Sequence, residues 1–280
     1  MLFDTLTIVG VGLIGGAIGL AAKQRGIVGR VVGVGRDRAR LQTALELGAI
    51  DAIALDLAQG VRDADCVLFA APVDRIAEQA LEAAAFCRRG AILTDAGSTK
   101  QAIVERVEAG LPGHVRFVGG HPLAGSEKKG VEHARADLFI DRLTVLTPTE
   151  RTDAEAVARL RDFWQALGAR VQVMTPAEHD RALALTSHLP HLLASALAGI
   201  LPAEWAALTA TGFRDTTRIA GGDPALWTPI FEQNRAALLD ALDQLDARLQ
   251  QFRAALNTAD AHAIDSLLFQ GKRMRDALGS

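Results

Sequence analysis

A histidine among small residues is the side chain of this sequence best suited to proton transfer. His121 follows Gly119 and Gly120 and precedes Pro122. A free imidazole titrates at about pH 6.5, so the neutral ring can accept a proton from a hydroxyl group as hydride leaves the same carbon. The small neighbours leave room for a ligand, although a histidine that only braces a turn would have the same setting. We interpret His121 as a candidate general base on a loop.

A serine on a second segment could assist this base. Ser98 lies three residues after Asp95, where a predicted strand ends. We expect Ser98 to orient His121 or to contact a nicotinamide ring. Ser98 or Thr99 would also be a good N-cap for the helix that follows, because hydroxyl side chains accept hydrogen bonds from the first N–H groups of a helix. The two roles are compatible.

The C-terminal part offers groups that could bind an anionic substrate. Ser187 and His191 are four residues apart, a spacing that places both on one face of a helix. Arg218 follows, and its planar guanidinium is suited to a substrate carboxylate. A core histidine and a solvent-exposed arginine are the alternatives. No set of Cys, His and carboxylate residues has the spacing of a metal site, so we expect no metal.

A dinucleotide site is predicted near the start of the chain. Residues 5–9 form an apolar strand pattern, and Gly10-x-Gly12-x-x-Gly15 follows before an alanine-rich helix. The first glycine permits a tight turn, the second lets the backbone approach a pyrophosphate, and the third lets the helix pack on the sheet. The N–H groups at the helix start then face the phosphates. Cofactor contacts are expected at Gly10, Gly12, Leu13, Ile14, Gly15, Arg36, Asp37, Ala71 and Pro72.

The residues after the second strand bear on the choice of cofactor. An acid that binds the ribose hydroxyl usually lies about 20 residues past the motif, and that position is Gly35, followed by Arg36 and Asp37. A cation near the ribose favours a 2′-phosphate and hence NADP. Alternatively, Arg36 stacks on adenine and Asp37 binds the ribose of NAD. The sequence therefore predicts NADP, with NAD as the alternative.

The elements that carry these groups alternate as in a doubly wound, Rossmann-type α/β fold. Helical patterns separate strand patterns at 31–34, 52–55, 66–72, 91–95, 115–118, 143–147 and 170–174. The carboxyl ends of parallel strands meet at one edge, where ligands bind. From residue 176 onward only helical periodicity remains. We predict a dinucleotide-binding domain over 1–173 and an all-helical substrate and dimerisation domain over 174–280.

Composition excludes several classes of protein. A chain of 280 residues with net charge −3 fits two domains and provides no basic surface for nucleic acid. The longest apolar run, 8–22, is too short and glycine-rich to span a membrane. Cys66 and Cys87 lack metal or redox spacing, which is typical of reduced core thiols. We expect a cytoplasmic protein that acts on a small molecule and binds neither nucleic acid nor membrane.

Four motifs behind the glycine motif resemble the prephenate/arogenate (cyclohexadienyl) dehydrogenase family of tyrosine biosynthesis. They are Asp95-Ala-Gly-Ser-Thr-Lys100, His121-Pro-Leu-Ala-Gly-Ser-Glu127, Ser187-His-Leu-Pro-His191 and Gly212-Phe-Arg-Asp-Thr-Thr-Arg218-Ile-Ala. The likeness covers nearly the whole chain. It implies an NAD(P)-dependent oxidative decarboxylation, in which hydride passes from C4 of the cyclohexadienyl ring to the nicotinamide, CO₂ leaves and the ring becomes aromatic. Prephenate would give 4-hydroxyphenylpyruvate, and arogenate would give tyrosine.

The resemblance also implies roles at the reacting carbon. His121 would bond the C4 hydroxyl and take its proton, and Ser98 would position His121. Ser126 would contact the same hydroxyl region.

Further residues of the matching motifs would bind the substrate. Ser187 and His191 would line the pocket, and Arg218 would bind a substrate carboxylate. Asp215 would hold the pocket loop together. Trp227 matches an aromatic residue that the family can contribute from a neighbouring subunit, which implies a homodimer through the helical domain.

Two other classes of protein compete with this interpretation. The β-hydroxyacid and 6-phosphogluconate dehydrogenases also join a Rossmann domain to helices, but they use a lysine of the second domain. No lysine lies between Lys129 and Lys272, so that chemistry lacks its base. A non-catalytic dinucleotide-sensing protein would need the glycines but has no reason to keep His121 and Arg218 in family register.

Overall fold

A computed structural model describes residues 1–125 and 128–279, and one eight-stranded sheet organises most of them. The strands are β1 (Phe3–Val9), β2 (Val28–Val34), β3 (Ala52–Ala54), β4 (Cys66–Phe69), β5 (Ile92–Asp95), β6 (Arg116–Pro122), β7 (Leu143–Thr147) and β8 (Arg170–Val173). Their spatial order is β3-β2-β1-β4-β5-β6-β7-β8. All neighbouring strands are parallel except β6 and β7, which pair antiparallel. This order confirms the predicted Rossmann-type fold.

Helices cover the sheet and make up the rest of the chain. They are α1 (Leu13–Gln24), α2 (Arg38–Glu46), α3 (Leu57–Val61), α4 (Val73–Ala84), α5 (Gln101–Gly110), α6 (Ala154–Ala166), α7 (Pro176–Leu183), α8 (Leu189–Gly199), α9 (Thr211–Thr217), α10 (Pro224–Gln233), α11 (Arg235–Asn257) and α12 (Ala261–Ala277). A π-helical turn, Ala184–His188, joins α7 to α8. Short 3₁₀ turns lie at Val131–His133, Ala203–Leu208 and Arg218–Gly221. Within the described residues no strand follows β8, as the sequence predicts.

Apolar side chains pack on both faces of the sheet. Ile8, Ile18 and Trp164 belong to one buried cluster, and Phe69 and Ile76 belong to the other. Burial on two faces explains why the strands read as continuous apolar runs rather than alternating patterns. It also keeps two thiols protonated, because desolvation raises the pKa of Cys66 to about 12 and that of Cys87 to about 11.

Backbone contacts divide the chain into two compact units. The first spans Met1–Asn234 and the second Arg235–Ser280. The first therefore contains the sheet together with α7 to α10, whereas the second consists of α11 and α12. None of the helices in the part of the chain that the structure describes is long and apolar enough to cross a membrane.

Candidate active site

The glycine motif forms a tight turn at the point where the strand order reverses, between β1 and β4. Gly10 has φ +92°, and a Cβ there would lie 2.7 Å from the carbonyl oxygen of Ala70. A Cβ on Gly15 would overlap the carbonyl oxygen of Gly10, so α1 packs directly on the turn. Among the residues that the structure describes, an added Cβ on Gly12 would meet nothing within 4 Å, and no side chain caps α1. The open space and the uncapped helix start fit a pyrophosphate.

The other predicted cofactor residues of this region lie at the same edge of the sheet. Leu13 and Ile14 are the first residues of α1 and are half-buried. Ala71 follows β4, and Pro72 is the N-cap of α4. Since β1 and β4 are parallel neighbours, their carboxyl ends bring these four residues together around the turn.

The side chain of Asp37 is the N-cap of α2, the helix that begins next to it. Its Oδ1 accepts hydrogen bonds from the backbone N–H groups of Ala39 at 2.9 Å and Arg40 at 3.2 Å. Its Oδ2 lies 3.3 Å from Nε of Arg40. Arg36 is exposed beside it. The carboxylate thus caps α2, and a guanidinium remains at the end of β2.

The predicted loop around His121 is instead a strand. β6 continues through Pro122 and pairs antiparallel with β7, with His121 opposite Val145. The expectation of a loop was wrong because the Gly119-Gly120 pair serves close packing: a Cβ on Gly119 would overlap Oγ1 of Thr147 on β7. His121 is therefore held at the end of a strand and is 8% exposed.

A second histidine and an aspartate, both from α7, extend a series of hydrogen bonds from His121 into the interior. Nδ1 of His121 lies 2.8 Å from Nε2 of His179. Nδ1 of His179 lies 2.7 Å from Oδ1 of Asp180. His179 and Asp180 are buried, and neither was predicted from the sequence as a site residue.

This His121–His179–Asp180 chain fixes the tautomer of each ring. A carboxylate only accepts, so Nδ1 of neutral His179 carries the hydrogen and its Nε2 accepts. Nδ1 of His121 must therefore donate, which leaves the lone pair on Nε2 of His121. The arrangement presents an unprotonated nitrogen for proton abstraction, as a general base requires.

Burial keeps both rings neutral. Desolvation lowers the pKa of His121 well below its ordinary value, and His179, Lys100 and His188 lower it further. Desolvation also lowers the pKa of His179, although Asp180 partly opposes this. His121 therefore stays in its proton-accepting form at neutral pH.

Asp180 also caps α5, the helix for which the sequence predicted Ser98 or Thr99 as the N-cap. Its Oδ1 accepts from the backbone N–H of Lys100 at 2.8 Å, and its Oδ2 accepts from that of Gln101 at 2.9 Å. The N-cap position is Lys100, with no side-chain cap of its own, so neither Ser98 nor Thr99 caps this helix.

Ser98 is half-buried between β5 and α5. Among the residues that the structure describes, no hydrogen bond joins Ser98 to His121, whose Nδ1 is directed to His179. The orienting contact predicted from Ser98 is thus made by His179 in this structure. Ser98 keeps its predicted role toward a bound ligand as a prediction.

The π-helical turn changes the predicted geometry of the next motif. Ser187 lies within this turn and is half-buried, whereas His191 lies on α8 and is buried. The four-residue spacing assumed α-helical geometry throughout. His188 is also buried, and its Nδ1 accepts from Nδ2 of Asn234 at 2.9 Å. Asn234 donates to the backbone oxygen of Asp180 as well, at 2.8 Å, and so connects this turn to α7.

An aromatic stack borders His191. Its ring lies 3.6 Å from that of Trp227 at an interplanar angle of 10°, and a Cβ on Gly222 would lie 2.7 Å from Cε1 of His191. Nδ1 of His191 has no hydrogen-bond partner within the described part of the chain. Trp227 contacts a histidine of its own chain, whereas the resemblance implied an aromatic residue from a neighbouring subunit.

Two further residues predicted to bind or support the substrate site lie close to α8 in the fold. Arg218 begins the 3₁₀ turn Arg218–Gly221 and is exposed, and both this turn and α9 pack against α8. Asp215 on α9 is exposed and, over residues 1–125 and 128–279, makes no side-chain hydrogen bond or ion pair. Ser126 lies outside the described residues.

Known proteins share this combination of elements. Residues 18–173 match the family model for the nucleotide-binding domain of prephenate dehydrogenase, and residues 175–270 match that for its dimerization domain. Prephenate dehydrogenase of Bacillus subtilis is 35% identical over 98% of this chain and 76% of its own length. Cyclohexadienyl dehydrogenase of Zymomonas mobilis is 36% identical over 99% of this chain and 96% of its own length.

A solved structure extends the similarity to three dimensions. Prephenate dehydrogenase from A. aeolicus, in complex with hydroxyphenyl propionate and NAD⁺, superposes with a TM-score of 0.91 at 30% identity. The match covers 98% of each chain.

Proposed function

Because the chain belongs to the prephenate dehydrogenase family, we propose that it catalyses the NAD(P)-dependent oxidative decarboxylation of prephenate to 4-hydroxyphenylpyruvate. The observation that carries the proposal is the buried His121–His179–Asp180 chain, which leaves Nε2 of His121 unprotonated. A protein that only senses a dinucleotide has no use for such a base.

His121 is the group that moves the proton. A dinucleotide held at the glycine turn would supply the hydride acceptor for C4 of the substrate. Nε2 of His121 takes the proton of the C4 hydroxyl, so that C4 becomes a carbonyl carbon as its hydride leaves. The Nδ1–H of His121 keeps its hydrogen bond to Nε2 of His179 during this transfer, and Asp180 holds the ring of His179 in place. When CO₂ departs, the electrons of the broken C–C bond make the ring aromatic, and His121 returns the proton to the phenolate oxygen.

The residues around α8 are proposed to bind the rest of the substrate. Prephenate carries two carboxylates, and Arg218 beside α8 supplies a cation for one of them. Ser187 and His191 line the pocket, and the unpartnered, buried Nδ1 of His191 is available to a substrate oxygen. Trp227 orients this imidazole by stacking. Ser126 and Asp215 keep the roles implied by the family motifs.

Replacing Arg218 with alanine should raise KM for prephenate by about tenfold or more while changing kcat little, because a charge-assisted contact remote from C4 contributes equally to substrate and transition state. Steady-state kinetics check this expectation. Arg214→Ala is the matched control, since Arg214 is another exposed arginine of the same segment, bonded to Thr209. Equal KM values for the two variants would remove Arg218 from the site.

We propose NADP as the preferred cofactor, with NAD as the alternative. The support is the engagement of Asp37 at the start of α2, which leaves Arg36 available to a 2′-phosphate. The A. aeolicus relative binds NAD⁺, so both cofactors enter the test.

One assay tests both the reaction and the cofactor. Purified protein is given prephenate or arogenate with NADP or NAD, while reduced-cofactor formation is followed by absorbance and the aromatic product by chromatography. We expect turnover with prephenate and a higher kcat/KM with NADP. Turnover with arogenate alone would reassign the substrate, a strong preference for NAD would reject the cofactor proposal, and no turnover in any combination would favour the dinucleotide sensor.

We also propose a cytoplasmic location, which the reduced, buried cysteines support.

A homodimer through the helical region is proposed as well. The dimer has support in the second unit, where large apolar side chains are more than half exposed. They are Leu239, Leu249, Leu256, Leu268, Phe269, Met274 and Leu278. A monomer mass by light scattering would contradict the dimer.

The division into a nucleotide domain over 1–173 and a helical domain over 174–280 remains our proposal, supported by the boundaries of the two family matches.

A further inference from the structure

Lys100 and Asp95 form an ion pair in the interior of the first unit. Nζ of Lys100 bonds Oδ2 of Asp95, and both side chains are fully buried. Removing two charges from water costs several kcal/mol per ion before their attraction is counted. In other proteins a buried ion pair can often be replaced by well-packed hydrophobic residues without loss of stability, so the pair is by itself weak evidence of stabilisation.

The carboxylate of Asp95 holds the backbone directly before both predicted catalytic residues. Its Oδ1 accepts from the N–H of Gly120 at 3.1 Å, one residue before His121. Its Oδ2 accepts from the N–H of Gly97 at 2.8 Å, one residue before Ser98. One buried carboxylate therefore fixes the end of β6 relative to the segment after β5.

Lys100 is held in place from its other end as well. Its backbone N–H donates to Asp180 at 2.8 Å, the same carboxylate that bonds His179. Lys100 thus contacts Asp180 through its backbone N–H and Asp95 through its side-chain nitrogen. Its aliphatic stem packs beside β6, because a Cβ on Gly119 would lie 3.5 Å from Cδ of Lys100.

We infer that the buried Lys100–Asp95 pair positions His121 for catalysis: Asp95 fixes the location of its backbone through Gly120, and Lys100 holds the carboxylate of Asp95 in place. The inference rests on the proposed function of His121 as general base. In the proposed mechanism Lys100 contacts neither C4 of the substrate nor the hydride acceptor, so it is a positioning residue.

Several charged or titratable groups act on this cluster. The charge of Lys100 lowers the pKa of both His121 and His179. Burial lowers the pKa of Lys100 itself, whereas Asp95 and Asp180 raise it and so favour its charged form. Within the described residues, the groups that act on His121 or Lys100 in addition to each other are Asp95 of β5, His179 and Asp180 of α7, and His188 of the π-helical turn.

Lys100→Met tests the inference because methionine keeps the length of the side chain and removes its charge. We expect the acid limb of the kcat/KM profile to shift to higher pH than in wild type, since a base that protonates more easily loses activity at a higher pH as the solution is acidified. In histidine NMR spectra His121 should titrate at higher pH than in wild type. Lys23→Met is the matched control: Lys23 is a half-buried lysine paired with Asp51 at 2.5 Å, and its loss should change neither readout.

The outcomes separate positioning from a merely structural role. If Lys100→Met lowered kcat/KM by the same factor at every pH and left the His121 titration unchanged, the inference would be wrong. If the protein turned over neither substrate, the proposed function would fail, but the His121 titration would still decide the role of Lys100.

A measurement on the wild type covers the case in which the variant does not fold. Lys100 must carry its proton at pH 7, which the ¹⁵N chemical shift of its side-chain nitrogen reports. An ammonium signal is expected, and a neutral amine would overturn the inference without any substitution.

Discussion

Replacing His121 with asparagine should lower kcat for prephenate by about 10²–10⁴, the usual contribution of a general base, with little change in KM. Asparagine cannot accept the hydroxyl proton as the hydride leaves, so the loss falls on the chemical step. The effect is measured by steady-state kinetics at saturating cofactor. His114→Asn is the control, because His114 precedes β6 at the end of the strand opposite to His121, and that variant should retain wild-type kcat.

The pH profile adds a second signature to this prediction. His121 works only when neutral, and burial places its pKa well below the ordinary histidine value. The kcat/KM of the wild type should therefore stay constant as pH falls through about 6.5, the reference value for histidine, and decline only at lower pH. Near-full activity of His121→Asn would refute the mechanism. An acid limb at or above pH 6.5 would show that the imidazole is not desolvated.

Asp180→Asn should lower kcat by about 10²-fold or more, which is less than the loss of about 10⁴ seen when an aspartate bonded directly to a catalytic histidine becomes an amide, because His179 lies between Asp180 and His121. Three N–H groups converge on this carboxylate, from the ring of His179 and the backbone of Lys100 and Gln101. An amide offers a single acceptor oxygen, so the tautomer of His179 is no longer fixed. Leaving a buried N–H without an acceptor also costs about 1–3 kcal/mol of stability.

Two measurements on Asp180→Asn separate these effects. Urea unfolding reports the stability, and kcat of the folded variant reports the chemistry. Asp153→Asn is the matched control, since Asp153 caps α6 through the N–H of Ala156 and asparagine caps helices about as well as aspartate. Reduced stability with an unchanged kcat would limit Asp180 to capping α5.

The fold could be predicted because its signals are local. Apolar runs bounded by turn residues mark all eight strands, and Gly10 and Gly15 mark a turn in which a Cβ would clash. The strand that carries His121 was the exception. Two glycines and a proline are typical of a loop, and only the pairing with β7 across the sheet makes them extended.

The site was less predictable, because its decisive contacts join distant parts of the chain. His179 is 58 residues from His121, and Asp180 is 80 residues from Lys100. In the sequence, His179 and Asp180 read as ordinary positions of an amphipathic helix. The one local signal is the capping box of Thr175 and Glu178, which places the start of α7 and hence the two residues on its first turns.

The bonds of Asp180 limit how this enzyme can be divided or recombined. Residues 1–173 contain the sheet and the glycine turn, yet α5 in that segment obtains its cap from Asp180, beyond the end of β8. A fragment cut after β8 would keep the dinucleotide turn but lose the cap of α5 and the partner of His121. The family models meet at 173 and 175, but a chimera joined there inherits a working base only if the incoming helical part brings a histidine and an aspartate at the positions of 179 and 180. The junction between two recognisable modules is therefore where the proposed catalytic group is completed.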